Sequence, residues 1–168
     1  NSNALSFDNI DDFVEAPAAS NLIANSSNIS MSMWVYPANN FPAYPDFDGF
    51  GGFRDDFSGD FYLLQLSATD VEARFRNSFG TPYTMVYTGL QVNTWQHFVL
   101  TYDGSNLVLY QNGVQVISSA ANAGGTKIME VSACVLETAS ATVLNTGRSK
   151  WVFPPFPGVT PPTTFVPY

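Results

Sequence analysis

Apolar and polar side chains alternate, position by position, along several short stretches of this chain. Ile29, Met31, Met33 and Val35 share one parity, and Ser30, Ser32, Trp34 and Tyr36 share the other. Val71, Ala73 and Phe75 alternate in the same way with Asp70, Glu72, Arg74 and Arg76. Two is the side-chain period of a β-strand, whereas a helix returns an apolar residue every third or fourth position. No stretch has a persuasive helical period. Turn chemistry separates the alternating runs. Asp103-Gly104-Ser105-Asn106 lies between strands predicted at 94–102 and 107–110, and Gln111-Asn112-Gly113 lies between 107–110 and 114–117. Asn-Gly readily takes the positive φ of a tight hairpin. Further strands are predicted at 50–54, 61–67 and 84–88, with short runs at Leu5–Phe7 and from Phe13. Trp34 and Tyr36 give the 29–36 strand apolar groups on both faces, so it is expected to be covered on each side. The core is expected to contain Leu5, Phe7, Met31, Met33, Phe75, Phe98, Leu100 and Leu109.

The chain has 168 residues, 45% hydrophobic and 12% charged. That length fits one domain with a substantial core. Six Lys and Arg stand against fourteen Asp and Glu, for a net charge of −8. Nucleic acid needs basic stripes that displace counterions, and none exists here. Anionic membrane surfaces are not expected as partners for the same reason. No apolar run reaches the roughly 20 residues of a spanning helix, so membrane insertion is not expected. Cys134 is the only cysteine and His97 the only histidine. A disulfide framework, a thiolate zinc site and a multi-histidine metal centre are thereby excluded. The histidine is expected to be structural. Asn25 and Asn28 fit the glycosylation acceptor pattern. Asn1 in place of a Met leads us to expect a mature or excised fragment.

The densest concentration of possible chemistry is DFDGFGGFRDDFSGDFYLLQ, from Asp46 to Gln65. A calcium loop, a pair of catalytic acids and a turn between strands all compete for it. Asp55 and Asp56 are adjacent, so on a strand they would point to opposite faces. The EF-hand order fails, because Gly49 stands at the fourth loop position and no glutamate occupies the twelfth. The stretch reads best as strand, polar turn and strand, with Asp55 to Asp60 as the turn. Hard cations take several oxygens, so calcium is carried as an expectation, with Asp46 and Asp48 as first-choice ligands. Asp8, Asp11 and Asp12 form a second acidic cluster.

The last third changes character. From Trp151 the sequence WVFPPFPGVTPPTTFVPY is expected not to form an inner strand, because proline lacks the ladder donor. An extended, polyproline-like tail is expected at 151–168, following a domain at 1–150, with Trp151, Phe153 and Phe156 as anchors.

In order along the chain, ALSFDNIDDFVEAP, ISMSMWVYP, FRDDFSGDFYLLQL, EARFRNS and NTWQHFVLTYDGSNLVLYQNG resemble the laminin G-like, or concanavalin A-like, jelly-roll domains of secreted bacterial multidomain proteins. The resemblance is strongest over 4–117. It implies an all-β, two-sheet antiparallel jelly-roll sandwich with a Pro-rich irregular C-terminal tail. It also implies a non-catalytic recognition or adhesion module, extracellular or on the cell surface, with a polysaccharide or glycan as partner. A structural or assembly module without a small ligand is the alternative. Members can hold one calcium at the sheet rim. Glucanases of this fold use Glu-x-Asp-x-x-Glu, and Glu15, Glu72, Glu130 and Glu137 have no such spacing; an enzyme is not expected. The Gly-x-Ile-Asp-Glu-like closing strand is not recognisable from Lys127 to Tyr168. Its loss would expose the Leu5–Phe7 edge, so a covering tail or self-association is expected.

Alternation places Glu72, Arg74 and Arg76 on the face opposite Phe75. Two of six basic residues on one sheet surface suggest a shallow site. Arg74 and Arg76 would hold a sugar's carboxylate or sulfate, with Tyr62 or Tyr87 stacked on the ring. Ion pairing with neighbouring acids is the competing reading.

Overall fold

A computed structural model describes residues 4–7, 14–16, 26–38, 48–55, 59–122, 134–136 and 150–152. The strands, in chain order, are β1 (Ala4–Ser6), β2 (Val14–Ala16), β3 (Ile29–Tyr36), β4 (Asp48–Asp55), β5 (Gly59–Gln65) and β6 (Asp70–Arg76). They continue with β7 (Pro82–Thr88), β8 (Gln96–Tyr102), β9 (Asn106–Gln111), β10 (Val114–Ala120), β11 (Cys134–Leu136) and β12 (Lys150–Val152). Two antiparallel sheets result, ordered β1-β12-β3-β8-β9-β10 and β2-β11-β4-β5-β6-β7. Among the described residues there is no helix, and hence none that is long and apolar enough to cross a membrane.

The inner faces of the two sheets meet in one core, as expected of a β-sandwich. From β6, Val71, Ala73 and Phe75 are fully buried, and from β8, Phe98 and Leu100 are as well. Phe75 stacks on Tyr102 across the sandwich at 4.1 Å between ring centroids. Phe50 of β4 meets Phe98 at 6.2 Å. Met33 and Leu109 are buried, while Leu5, Phe7 and Met31 pack against the core from its margin. The alternation therefore assigns the faces of β3, β6 and β8 correctly.

The hairpins form where the turn residues predicted them. Asn112 and Gly113 take φ values of 51° and 82° between β9 and β10. Asp103 accepts the backbone N–H groups of Ser105 and Asn106 through Oδ1, closing the β8–β9 turn. In β4 the register shifts between Gly49 and Gly51. Gly52 then lies so close to β5 that a Cβ there would overlap the Phe61 carbonyl and Tyr62.

Two expectations need correction. Lys150–Val152 pairs on both sides, with β1 and with β3, and is therefore an inner strand. The prolines begin only at Pro154, so these three residues keep their N–H groups for the ladder. The rest of the expected tail, 153–168 with Phe153 and Phe156, lies outside the described residues. The second correction concerns Trp34, which is not covered on its outer side: it is 38% exposed.

Candidate functional site

The outer face of the β4–β7 sheet carries the charges that alternation assigned to it. The register sets Tyr62 of β5 opposite Arg74 of β6, and Arg74 opposite Thr84 of β7. Arg74 Nη2 pairs with Glu72 Oε1 at 2.9 Å, and its Nε donates to Thr84 Oγ1 at 3.2 Å. Its guanidinium carbon lies 5.4 Å from the Tyr62 ring centroid, within reach of a cation–π contact. The Tyr62 hydroxyl donates to Glu72 Oε1 at 2.9 Å. Burial, reinforced by the Glu72 carboxylate, pushes the Tyr62 phenol well above its ordinary pKa, so it remains a donor. Arg74 is thus held in place by the groups around it, yet its side chain stays 27% exposed.

Arg76 is in a different position. Its Nε donates to Asp60 Oδ2 at 2.8 Å, and Nη1 reaches the Gly80 carbonyl at 3.5 Å. Asp60 is 1% exposed, and its Oδ1 has no hydrogen-bond partner. A buried carboxylate demands a counter-charge, and Arg76 supplies it. The two expected ligand-facing arginines are both half-buried, and they differ in partner: Arg76 neutralises a buried carboxylate, whereas Arg74 pairs with the more accessible Glu72.

Tyr87 does not reach this face. It stands opposite Val71, on the core side of β7. Its hydroxyl donates to Gln111 Oε1 at 2.9 Å. Gln111 Nε2 in turn donates to Gln96 Oε1 at 2.6 Å, so a chain of partly buried polar groups ties β7 to β8 and β9. The signal was available in the sequence: Tyr83, Met85 and Tyr87 alternate with Thr84, Val86 and Thr88. Asp46 lies outside the described residues, and of Asp48 only its backbone position, opposite Gln65, is described. Asp8, Asp11 and Asp12 also lie outside them. No group of three His, Cys, Asp or Glu side chains that could hold a metal occurs among the described residues.

The opposite sheet presents a second surface that the sequence reading missed. Trp34 and His97 are cross-strand partners with ring centroids 5.0 Å apart. Tyr36 and Trp95 sit 5.3 Å apart next to them. Ser32 Oγ and His97 Nε2 share a hydrogen bond of 2.8 Å, and the His97 backbone N–H donates to Asn112 Oδ1. Asn93 donates its N–H to the Pro37 carbonyl at 2.8 Å, which anchors the Trp95 turn to the end of β3. Trp34 and Trp95 are each 38% exposed.

The family profile described as Concanavalin A-like lectin/glucanases superfamily matches residues 8–159. The chain belongs to this superfamily. The match runs well past Lys127, where the family's strand pattern stops being recognisable by eye. No curated protein matches the chain. Among solved structures, the chain is similar to the CBM40 of Ruminococcus gnavus IT-sialidase bound to α2,3 sialyllactose. The TM-score is 0.61 at 16% identity, covering 91% of this chain and 92% of that one. It is also similar to the binding domain of Paraclostridial Mosquitocidal Protein 1, with TM-score 0.58, 14% identity and 90% of this chain covered. The Botulinum neurotoxin serotype D binding domain matches with TM-score 0.61, 15% identity and 90% coverage. This chain spans 42% of the mosquitocidal and 37% of the neurotoxin domain. At such identities the likeness is one of fold.

Proposed function

We propose that this superfamily member is a non-catalytic recognition module that binds glycans outside the cell, with Arg74 as its contact for an acidic sugar. One observation carries the reading: the Arg74 guanidinium is fixed in place but not saturated. Arginine has five N–H donors, and Thr84 and Glu72 take one each. The exposed remainder can offer a planar fork to a carboxylate or sulfate. Tyr62 supports the guanidinium from the neighbouring strand. The CBM40 neighbour was solved with a sialylated sugar, which agrees with this chemistry.

The carboxylates of this face support a non-catalytic reading. Glu72 is held by Arg74 and Tyr62, and Asp60 by Arg76. Retaining glycoside hydrolysis needs two carboxyls facing each other across a bond, about 5–5.5 Å apart, with one free to donate a proton. An assembly module is the second reading. It is favoured by β1, which among the described residues stands at a sheet edge, paired with β12.

Titration with α2,3 sialyllactose and with lactose tests the proposal. The wild type should bind the sialylated sugar more tightly, and Arg74→Gln should erase the difference. Equal binding of both sugars by the wild type, or an unchanged preference in Arg74→Gln, would contradict it. Release of free sialic acid or reducing ends would contradict the non-catalytic part.

A further inference from the structure

Four strands end the two sheets among the described residues: β1 and β10 in one, β2 and β7 in the other. An open edge invites pairing with another chain, and proteins blunt it by shortness, a bulge, a charge or a proline. β1 and β2 are three residues long, and the register of β10 shifts between Gln115 and Ile117. β7 has none of these devices along its length. It is seven residues long, and its register against β6 is unbroken from Pro82 to Thr88. It carries no charge, in a chain of net charge −8. Its one proline is its first residue, a position that a strand tolerates. Thr84, Val86 and Thr88 are exposed along its outer face, Val86 by 49%.

β7 also reads nearly the same in both directions. About Met85, Tyr83 mirrors Tyr87, and Thr84 mirrors Val86. Thr and Val are both β-branched and have the same shape. Such symmetry is what an isologous contact requires, because a two-fold axis pairs residue i with j and j with i. Two β7 strands paired antiparallel about Met85 set Tyr83 against Tyr87, Thr84 against Val86 and Met85 against itself. The opposite pairs are then aromatic with aromatic and β-branched with β-branched, which stabilise adjacent strands. A slip of one residue would set the core-facing Tyr83 against the outward Thr88, which the pleat forbids. Two molecules of charge −8 repel each other, and an uncharged strip is where they meet at least cost.

We propose that the chain forms a two-fold dimer through β7, in which two copies of the β2–β7 sheet become one continuous sheet. The pairing leaves both outer faces on the same side. Arg74 stands opposite Thr84 in its own sheet, and Thr84 then stands opposite Val86 of the other copy. Three strand spacings across and two residues along separate the two Arg74 positions, about 16 Å in all. The dimer thus presents two copies of the Arg74 face to one glycan-bearing surface, where linked sites gain avidity. That consequence rests on the proposed role of Arg74, whereas the pairing itself does not.

Sedimentation equilibrium of the full chain, without sugar, from about 10 μM to about 1 mM tests the pairing, a range suited to a contact as small as one strand edge. The mean mass should rise from monomer toward dimer with concentration. Val86→Lys should weaken the association at least about tenfold, because lysine on an edge opposes strand addition. Val86→Thr completes the mirror and should retain the dimer. So should Ser30→Lys, which adds the same charge at an exposed position of β3 in the other sheet. Hydrogen exchange in the concentrated protein should slow within residues 83–87 and not within 114–120. A monomer at every concentration would overturn the proposal and leave the edge to a strand of another protein. A dimer that Val86→Lys leaves intact, or protection gained at β1 or β10 instead, would overturn it as well. Since no sugar enters the measurement, a monomer would leave the sugar-binding reading standing, and a dimer that binds no sialyllactose would refute that reading alone.

Discussion

Arg76→Met should be far more damaging than Arg74→Met, although the two arginines lie two residues apart on one strand face. Arg76 is the counter-charge of Asp60, which is 1% exposed, with a contact of 2.8 Å. Removing the guanidinium strands an anion inside the protein, a loss of about 3–5 kcal/mol for a buried pair. The Arg76 side chain is 21% exposed, so the lower end, about 3 kcal/mol, is expected. Arg74 shares a more open pair with Glu72, and its removal should cost about 1 kcal/mol or less. Asp60→Asn should cost less than Arg76→Met, because Arg76 can turn to water whereas Asp60 cannot. The double variant Asp60→Asn, Arg76→Met should recover part of the Arg76→Met loss, since no buried charge remains. Urea unfolding followed by tryptophan fluorescence measures the wild type and all four variants. A loss below about 1 kcal/mol in Arg76→Met, or strict additivity in the double variant, would refute the buried-pair assignment.

The other predictions concern the core, acid stability and calcium. Phe75 is fully buried against Tyr102, so Phe75→Ala should cost roughly 3–5 kcal/mol; a loss under about 1 kcal/mol by the same urea assay would mean that the face of β6 is misassigned. Hydrogen bonds from Ser67 and Thr88 lower the Asp70 pKa, and backbone N–H groups of Asn106 and Ser105 lower that of Asp103, both below the ordinary 3.8. Their stabilisation is complete above the ordinary value and lost as pH falls through the lowered native ones. Tm measured in increasingly acid buffer should fall there, and Asp70→Asn and Asp103→Asn should each flatten the fall. Calcium at Asp46 and Asp48 remains our proposal from the family resemblance. It predicts a higher Tm in calcium than in EDTA, with the difference lost in Asp46→Asn, Asp48→Asn; equal Tm values in the wild type would dismiss it.

Much of the fold is legible because one face of each long strand must be dry. Residues 71–76 alternate without a break, and the pleat converts that alternation directly into Phe75 inside and Arg74 outside. Asn112-Gly113 is legible because few residue pairs tolerate positive φ. Pairing between distant strands is less so. Lys150–Val152 is three residues long, and nothing in it specifies that it inserts between β1 and β3. The site divides along the same line. The side of the sheet that Arg74 occupies follows from parity, whereas the claim of Asp60 on Arg76 depends on a β5–β6 register that local sequence does not state. Tyr87 was misplaced because chemistry was weighed without parity. The half-exposed Trp34 was missed because a Trp on a strand reads equally well as buried or exposed in the sequence.

A glycan array probed with the wild type and Arg74→Gln tests the central claim most directly, since it asks whether this sandwich recognises sugars and whether Arg74 contacts them. We predict that the wild type binds acidic glycans and that Arg74→Gln loses them. A folded wild-type protein that binds nothing on the array, or whose binding is unaffected by Arg74→Gln, would contradict the account.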